Sequence, residues 1–368
     1  MFGTILISVC TAMHLYVFWR AASVPLVDRH VPRWVFLTLC VGLWVLFFLG
    51  RVVGHRHTGT LAAAVELVGM NWMAMLFLTF VCVLAMDLVT GFGFLRPRLA
   101  PTLRGWALVA GAVLSVIALV QGLRPPVVQS YEVRLSGLPR QMEGRVIVAM
   151  SDLHIGSLLG GRWLAARVAQ VQAERPDMVV LLGDQFEGHG PAQAELLPVL
   201  RGLTAPLGVW AVSGNHEFHG RGNTSLSLLQ EAGIEVLRDR WAEVRPGLIL
   251  AGVDDLTTRR RVGQQGDPFF QALEGRPPGV TILLSHRPRW ADTAAGAGVG
   301  LMLCGHTHGG QIWPFNYVVR QSYSLLAGRY EVGAMTVIVS RGAGTWGPRM
   351  RLWQPGEILR LTLRGGEP

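Results

Sequence analysis

Val146-Ile-Val-Ala-Met-Ser-Asp-Leu-His154 is the stretch of sequence that decides the fold. Its first five residues are apolar, which predicts a short β-strand that is buried on both faces. Asp152 and His154 follow at once, where the predicted strand ends. Because residues i and i+2 point to the same side of an extended backbone, we expect both polar side chains to face one site beyond the strand.

The same arrangement, a short apolar run followed directly by polar residues, recurs four times toward the C-terminus. The later runs and their polar residues are Met178–Leu182 with Gly183-Asp184, Val209–Val212 with Gly214-Asn215-His216-Glu217, Val280–Leu284 with His286, and Val299–Leu303 with Gly305-His306-Thr307-His308. Further strands are predicted at Tyr131–Leu135 and Leu248–Val253, and helices at Arg162–Glu174, Ala192–Leu203 and Ser225–Ala232. Short buried strands that alternate with helices predict a layered α/β fold. In such sheets, ligands bind outside the carboxyl ends of the strands.

The polar residues at these strand ends offer carboxylate, imidazole and amide oxygen groups but no thiol. Cys304 is the only cysteine after Arg124, so neither a disulfide framework nor a thiolate-bound zinc site is expected there. Nitrogen and oxygen ligands of this kind suit Mn, Fe or Zn.

Each motif alone is a weak signal, since a lone His after a strand usually makes an ordinary hydrogen bond and an isolated Gly-Asp is usually a turn. Five such motifs at five predicted strand ends together indicate a metal site. Glycine precedes the polar residues at Gly183, Gly214 and Gly305. We expect these glycines to allow backbone angles and a close approach that a β-carbon would hinder.

A family resemblance rests on these motifs taken together. Ser151-Asp-Leu-His154, Gly183-Asp184, Gly214-Asn-His-Glu217, Ser285-His286 and Gly305-His-Thr-His308 resemble the signature of the calcineurin-like metallophosphoesterases. Gly309-Gly-Gln311 and Arg341-Gly-Ala-Gly-Thr-Trp-Gly-Pro348 are similar to a bacterial subgroup with N-terminal membrane helices or export signals. The resemblance implies a metallophosphoesterase-type β-sandwich of two sheets flanked by helices, which refines the α/β prediction.

The resemblance also implies a set of metal ligands. Asp152, His154 and His308 would hold one metal ion, Asn215, His286 and His306 would hold a second, and Asp184 would bridge both. The ions would be divalent or mixed-valence Mn, Fe or Zn. Such a pair clamps the attacking and leaving oxygens of an in-line displacement and makes hydroxide available near neutral pH. The implied reaction is the hydrolysis of a phosphomonoester, a phosphodiester or a pyrophosphate.

Two further residues would take catalytic roles by the same resemblance. His216 would lie beside the metal ions and stabilise the phosphoryl oxygens or protonate the leaving group. Where the family often shows Gly-Asp-x-x-Asp, this chain has Gly183-Asp-Gln-Phe-Glu187. Glu187 is one methylene longer than the family's aspartate, and it would orient His216 from a slightly displaced backbone.

A membrane region is predicted before the strands begin. Four long apolar stretches occur before Arg124, and a helix needs ~20 apolar residues to cross a bilayer. They are Phe2–Trp19, Trp34–Val53, Leu61–Val89 and Trp106–Leu123. We expect the first to be an uncleaved helix, since further spans follow and it lacks a positive start. The predicted division is therefore a transmembrane helical region over 1–125 and a metallophosphoesterase domain over 126–368.

The arginines between the apolar stretches predict the orientation. The chain has 33 basic residues and a net charge of +9. Arg20, Arg29, Arg33, Arg96, Arg98 and Arg104 occupy loops one and three, whereas loop two has Arg51 and Arg56. Arg124 and Arg134 lie just beyond the fourth span and argue the other way, which leaves six arginines against four. The positive-inside rule then puts loops one and three in the cytoplasm and the catalytic domain outside the cell (inner) membrane.

These observations leave several functions and partners open. The first expectation is a membrane-anchored phosphoesterase that acts on a phosphorylated small molecule or a lipid-linked phosphate. A transport or sensing protein with a regulatory metal domain, or a catalytically silent metal-binding domain, are the alternatives. No nucleic-acid partner is expected, because the positive charge lies mainly between the apolar stretches. The sequence does not indicate an oligomeric state.

Overall fold

The computed structural model describes residues 2–53, 59–187, 193–218, 222–255, 257–258 and 267–366. The chain divides into two compact units. The first comprises Met1–Arg124 and Gly347–Trp353, and the second comprises Pro125–Trp346 and Gln354–Pro368. The chain therefore crosses between the units three times. Gly347–Trp353 belongs to the helical unit, although the expected division put all of 126–368 in the second.

The first unit is helical. Its helices are α1 (Phe2–Ala21), α2 (Pro25–His30), α3 (Arg33–Val53), α4 (Thr60–Val89) and α5 (Ala100–Leu123). Among the described residues, four of these helices are long and apolar enough to cross a membrane. Helix α5, the fourth of these apolar helices, was predicted to begin at Trp106 but begins at Ala100. Pro101 stands in its first turn, where proline fits the helical backbone.

A buried ion cluster joins three helices of the first unit. Asp87 on α4 is fully buried, and its carboxylate lies 2.6 Å from Arg20 Nε and 2.7 Å from Arg104 Nε. The hydroxyl of Tyr16 also donates to Asp87. A buried charge is tolerated when opposite charges and hydrogen bonds surround it. The cluster also brings the end of α1 and the start of α5 to the same end of α4.

The segment Gly347–Trp353 runs among the helices of the first unit and gives them its backbone N–H groups. Arg349 N donates to Asn71 Oδ1 at 2.8 Å, and Arg351 N donates to the Ala118 carbonyl at 2.9 Å. Trp353 N donates to Gln121 Oε1 at 2.8 Å. The polar side chain of Asn71, inside an apolar helix, thus accepts a hydrogen bond from the backbone of this segment.

The second unit contains two six-stranded sheets within the described ranges. The strands are β1 (Val127–Ser136), β2 (Val146–Met150), β3 (Met178–Leu182), β4 (Val209–Val212), β5 (Glu235–Val236), β6 (Arg240–Arg245), β7 (Leu248–Val253), β8 (Val280–Ser285), β9 (Leu301–Cys304), β10 (Gly328–Val332), β11 (Met335–Val339) and β12 (Glu357–Gly366). The helices are α6 (Gly161–Ala173), α7 (Gln193–Leu200), α8 (Gly222–Glu231), α9 (Pro268–Leu273), α10 (Ala291–Gly296) and α11 (Phe315–Arg320). The sheet orders are β1-β12-β2-β3-β4-β5 and β10-β11-β9-β8-β7-β6.

The main core lies between the two sheets. Apolar side chains of β2 and β3 in one sheet share a buried cluster with those of β7, β8 and β9 in the other. A second cluster packs α6, α7 and α8 on the outer face of the first sheet. The central strands are parallel to one another and covered on both faces, which explains their uninterrupted apolar runs. The expected β-sandwich flanked by helices is therefore correct.

The boundaries differ from the predictions in a few places. β9 begins at Leu301 instead of Val299, because Val299 N closes the turn after α10 by donating to the Ala294 carbonyl. Helix α7 ends at Leu200, and the predicted start at Ala192 lies outside the described residues. The strand β12 was not predicted. It lies between β1 and β2, parallel to the first and antiparallel to the second.

Candidate metal centre

The polar residues of the five strand ends converge in the second unit. Asp152, His154 and His308 form one group that could hold a metal ion, and Asp184, His286 and His306 form another. Within each group, one ligand atom from every residue lies within 4.8 Å of the others. A third group joins His154, Asp184 and His216. Asp184 thus has imidazole neighbours in two of these groups, and its role as the bridge stays a prediction.

Five of these residues have a left-handed backbone, and not the extended backbone from which their convergence was predicted. The φ angles are 54° at Asp152, 47° at His154, 52° at Asp184, 73° at His306 and 50° at His308. The expectation of extended backbone with side chains on one side was therefore wrong. Residues other than glycine adopt this conformation at a cost of ~1–2 kcal/mol, and it concentrates at functional sites. Hydrogen bonds between adjacent turns hold it, since His154 N donates to the Asp184 carbonyl at 3.0 Å.

The glycines at the strand ends occupy positions without room for a side chain. A β-carbon at Gly214 would lie 2.2 Å from Asp184 Oδ1, and one at Gly305 would lie 1.8 Å from Ser151 Oγ. At Gly183 it would lie 2.6 Å from His286 Nδ1. The expected close approach is confirmed at all three positions.

Hydrogen bonds fix which imidazole nitrogen faces the centre. His286 Nδ1 lies 2.7 Å from the Leu182 carbonyl, which can only accept, so Nδ1 carries the proton. His286 Nε2 then lies 3.1 Å from Asp184 Oδ2. An imidazole that donates through one nitrogen to a carbonyl and offers the other inward is the usual arrangement of a metal-ligating histidine.

The first group shows the same pattern. His154 Nδ1 lies 2.7 Å from Glu187 Oε2, and His154 Nε2 lies 3.2 Å from His308 Nε2. His308 Nε2 in turn lies 3.3 Å from Asp152 Oδ1. Buried carboxylate oxygens and imidazole nitrogens that point at one another form a donor set suited to a cation. The described residues therefore fit one divalent ion at Asp152, His154 and His308 and another at Asp184, His286 and His306, with nitrogen and oxygen ligands and no sulfur.

Asn215 lies beside this centre and is held by an arginine that the sequence reasoning missed. Arg287 Nη2 donates to Asn215 Oδ1 at 3.0 Å. The same guanidinium binds Asp255 Oδ2 at 2.6 Å and the Tyr323 hydroxyl at 2.6 Å. Asn215 as a ligand of the second ion stays a prediction, and Arg287 is the residue that orients its amide. Its position directly after His286 is the one signal in the sequence.

Glu187 contacts two histidines at once. Its Oε2 lies 2.9 Å from His216 Nδ1 as well as 2.7 Å from His154 Nδ1. An isolated bridge between Ile155 and Phe186 brings the two loops together, so the longer side chain reaches both rings. His216 Nε2 remains 3.9 Å from Asp184 Oδ2. The carboxylate thus orients one predicted metal ligand and the predicted acid–base residue together.

These contacts shift the ionisation of the site in the absence of metal. Burial favours neutral forms, but the carboxylates of Asp184 and Glu187 raise the pKa of His216 to about 9. Burial is likewise outweighed at His286, where Asp184 raises the pKa to about 10. Hydrogen bonds from His154 and His216 hold the pKa of Glu187 below its ordinary value against the effect of burial. The metal-free centre therefore retains positively charged imidazoles beside its carboxylates.

Glu217 is a second residue whose role the sequence reasoning did not assign. Its carboxylate is fully enclosed and accepts four backbone N–H groups. They come from Asp184 at 2.9 Å, Gln185 at 2.8 Å, Phe186 at 3.2 Å and Gly214 at 2.6 Å. Glu217 thereby ties the turn after β3 to the turn after β4, and the place of Asp184 depends on it.

The loop after β11 supports the first ligand turn from outside. Ala343 N donates to the Ser151 carbonyl at 2.8 Å and Gly344 N donates to the Asp152 carbonyl at 3.0 Å. A β-carbon at Gly344 would lie 2.2 Å from the Leu153 carbonyl oxygen. The Arg341-Gly-Ala-Gly motif therefore supports the backbone on which Asp152 is carried.

Comparison with known proteins agrees with this site. The family model described as calcineurin-like phosphoesterase matches residues 145–310. An uncharacterized metallophosphoesterase of Campylobacter jejuni is 31% identical over 261 residues, covering 70% of this chain and 68% of the relative. One from Aquifex aeolicus is 34% identical over 250 residues, covering 65% of this chain and 92% of the relative. A transmembrane protein with metallophosphoesterase domain from Bos taurus is 33% identical over 285 residues, covering 73% of this chain and 63% of the relative.

Two conclusions follow from the site, the helices and the relatives together. The four apolar helices and the relatives named as transmembrane proteins make this chain a membrane protein. The residues that converge at the strand ends lie within the matched range. The chain belongs to the calcineurin-like metallophosphoesterase family.

Proposed function

We propose that this protein is a membrane-anchored phosphoesterase that uses two metal ions to hydrolyse a phosphomonoester, a phosphodiester or a pyrophosphate. The observation that carries the proposal is the position of Asp184. Its carboxylate belongs to a group with His286 and His306 and also to a group with His154 and His216. One carboxylate shared in this way is what a dinuclear centre needs. We propose Mn, Fe or Zn for the ions, because the ligand atoms are nitrogen and oxygen.

The chemistry divides between the ions and the chain. When bound, two divalent ions would supply a water of lowered pKa and positive charge for the phosphoryl oxygens. We propose that His216 serves the leaving group. This role is supported by its Nδ1 contact with Glu187 and by its Nε2, which lies 3.9 Å from Asp184 Oδ2. A histidine held through Nδ1 can give a proton from Nε2 to a leaving oxygen. Arg287 keeps the amide of Asn215 in position.

Location supports a narrower substrate class. The chain is a membrane protein, and three chain crossings tether the phosphoesterase unit to the helical unit. A tethered enzyme meets lipid-linked phosphates more often than dilute soluble ones, so we propose a phosphate carried on a lipid. We further propose the cell (inner) membrane and an extracytoplasmic site, which rest on the arginine distribution.

The test is turnover of chromogenic phosphomonoesters and phosphodiesters by the full chain in detergent with added Mn²⁺. Asp184→Asn should abolish turnover and lower the metal content, because the neutral amide would replace the shared carboxylate. Asp292→Asn, an exposed position on α10, is the matched control and should behave as the unaltered protein. Two retained metal ions without any turnover in the unaltered protein would instead favour a regulatory metal-binding domain.

A further inference from the structure

Helix α11 carries large apolar side chains that face outward. Phe315 is 44% exposed, and Tyr317 and Val318 are each 57% exposed. Single exposed apolar residues are ordinary on protein surfaces, but three on a helix of six residues form a patch. We refer to Phe315, Tyr317 and Val318 as the α11 patch.

The backbone of α11 packs close to one of the turns of the metal centre. Asn316 is buried, and a β-carbon at Gly310 would lie 2.3 Å from Asn316 Cα. Gly310 follows the predicted ligand His308 by two residues. Phe315 N also donates to the Ile312 carbonyl at 2.8 Å. The helix that carries the α11 patch therefore packs directly against the turn that carries His308.

The charge around the patch is positive. Arg320 ends α11 and is exposed, and the exposed Arg289 lies 4.8 Å from the Tyr323 ring just beyond the helix. The sequence has no acidic residue between Asp292 and Glu331. Aromatic and aliphatic side chains flanked by arginine are the composition of an interfacial element on an anionic lipid surface.

We infer that the α11 patch enters the headgroup region of an anionic bilayer and holds the metal centre at the lipid surface. The occupant is a bilayer because the phosphoesterase unit is tethered at three chain crossings to a unit of membrane helices. Tyrosine favours the membrane interface, because its ring is apolar and its hydroxyl meets water. Phenylalanine is typical of the apolar face of a helix that lies in the interface. The inference rests on the proposed function and narrows it to phosphate groups displayed at a membrane surface.

The experiment measures immersion of the patch and needs no substrate. The full chain with Val318→Cys carries a nitroxide label and is reconstituted in bilayer discs of equal parts phosphatidylcholine and phosphatidylglycerol. Phe270→Cys is the matched control, because Phe270 lies on α9 of the same unit and is 66% exposed. Unsubstituted protein treated identically corrects for the native cysteines, of which Cys304 is fully buried. Relaxation by oxygen, which concentrates in lipid, is compared with relaxation by a water-soluble nickel chelate.

We expect the label at 318 to respond more to oxygen than to nickel, and the label at 270 to respond in the opposite order. In discs of phosphatidylcholine alone, the nickel response at 318 should rise, since the arginines lose their anionic partners. Equal nickel responses at 318 and 270 would overturn the inference. So would protection of 318 from both agents with dipolar broadening, which would indicate that a second copy covers the patch.

The outcomes separate this inference from the proposed function. Immersion of the patch in a protein that never turns over a phosphoester would support the inference and count against the proposed function. Turnover by a protein whose patch stays in water would support the proposed function and count against the inference.

Discussion

Glu187 Oε2 lies 2.9 Å from His216 Nδ1, although the family pattern places a shorter aspartate at this position. The contact means that one carboxylate fixes the ring expected to serve the leaving group. Because the same oxygen also accepts from His154, a change at Glu187 reaches a predicted metal ligand as well.

Glu187→Gln should lower turnover by ~10–100-fold, the usual effect of losing a partner that orients a metal-site histidine. The amide keeps the size of the side chain but offers a weaker acceptor to both rings. Glu187→Asp should retain more activity than Glu187→Gln, since it preserves the charge. Steady-state kinetics of the two variants check this order, and a larger loss in Glu187→Asp than in Glu187→Gln would show that reach matters more than charge.

His216→Ala should lower the rate by ~10²–10⁴-fold, most strongly for substrates with poor leaving groups. The metal content should remain nearly intact, because we expect His216 beside the ions. His216 also lies in a group with His154 and Asp184 that could hold an ion. Metal analysis of the purified variant decides between these roles, and the loss of one equivalent would make His216 a ligand.

The metal-free protein should lose stability as the pH rises from about 6.5 to 10. The pKa values of His216 and His286, raised to about 9 and about 10, exceed the ordinary value of histidine. Their contribution to the free energy of unfolding is therefore complete below about 6.5 and disappears as the pH passes the raised values. Thermal unfolding after chelation measures it. His216→Ala should flatten the slope, and an unfolding temperature that rises with pH would contradict the assignment.

Glu217→Gln should destabilise the second unit and lower its metal content. The new amide group would face backbone donors in a closed space, and each buried donor left without an acceptor costs ~1–3 kcal/mol. Glu143→Gln is the matched control, since Glu143 accepts the Gly365 N–H at an exposed position. Unfolding temperature and metal content measure both effects. Equal unfolding temperatures for the two variants would exclude the proposed role of Glu217.

Reporters fused after Arg124 should be active only on the outer side of the membrane. The shared contact of Arg20 and Arg104 with Asp87 supports placing loops one and three on the same side. Their arginines then favour the cytoplasm for both loops, whereas loop two has Arg51 and Arg56, the latter outside the described residues. A reporter that is active only in the cytoplasm would reverse this orientation without affecting the metal centre.

The sequence predicted the strands that carry the site but not the conformation of the turns after them. Runs such as Val146–Met150 are apolar throughout because both faces are buried, and that pattern can be read directly. The positive φ of Asp152 could not be read, since it is imposed by hydrogen bonds from other turns. Arg287 and Glu217 were missed for a related reason. Their importance lies in what they bind in space, and neighbours in the sequence do not reveal it.

The strand β12 shows another limit of sequence reasoning. Leu359-Arg-Leu-Thr-Leu363 alternates as a half-buried strand does, yet its place between β1 and β2 depends on residues more than two hundred positions earlier. Long-range pairing of this kind depends on the whole sheet and has no local signal.

The segment Gly347–Trp353 has a practical consequence for anyone who wishes to isolate the catalytic half. A fragment that begins at Pro125 would still contain this segment but would lack Asn71, Ala118 and Gln121, which accept its backbone N–H groups. Its apolar side chains would also meet water. Such a fragment should aggregate when expressed alone, and replacing the seven residues with a short polar bridge is the more promising way to obtain it.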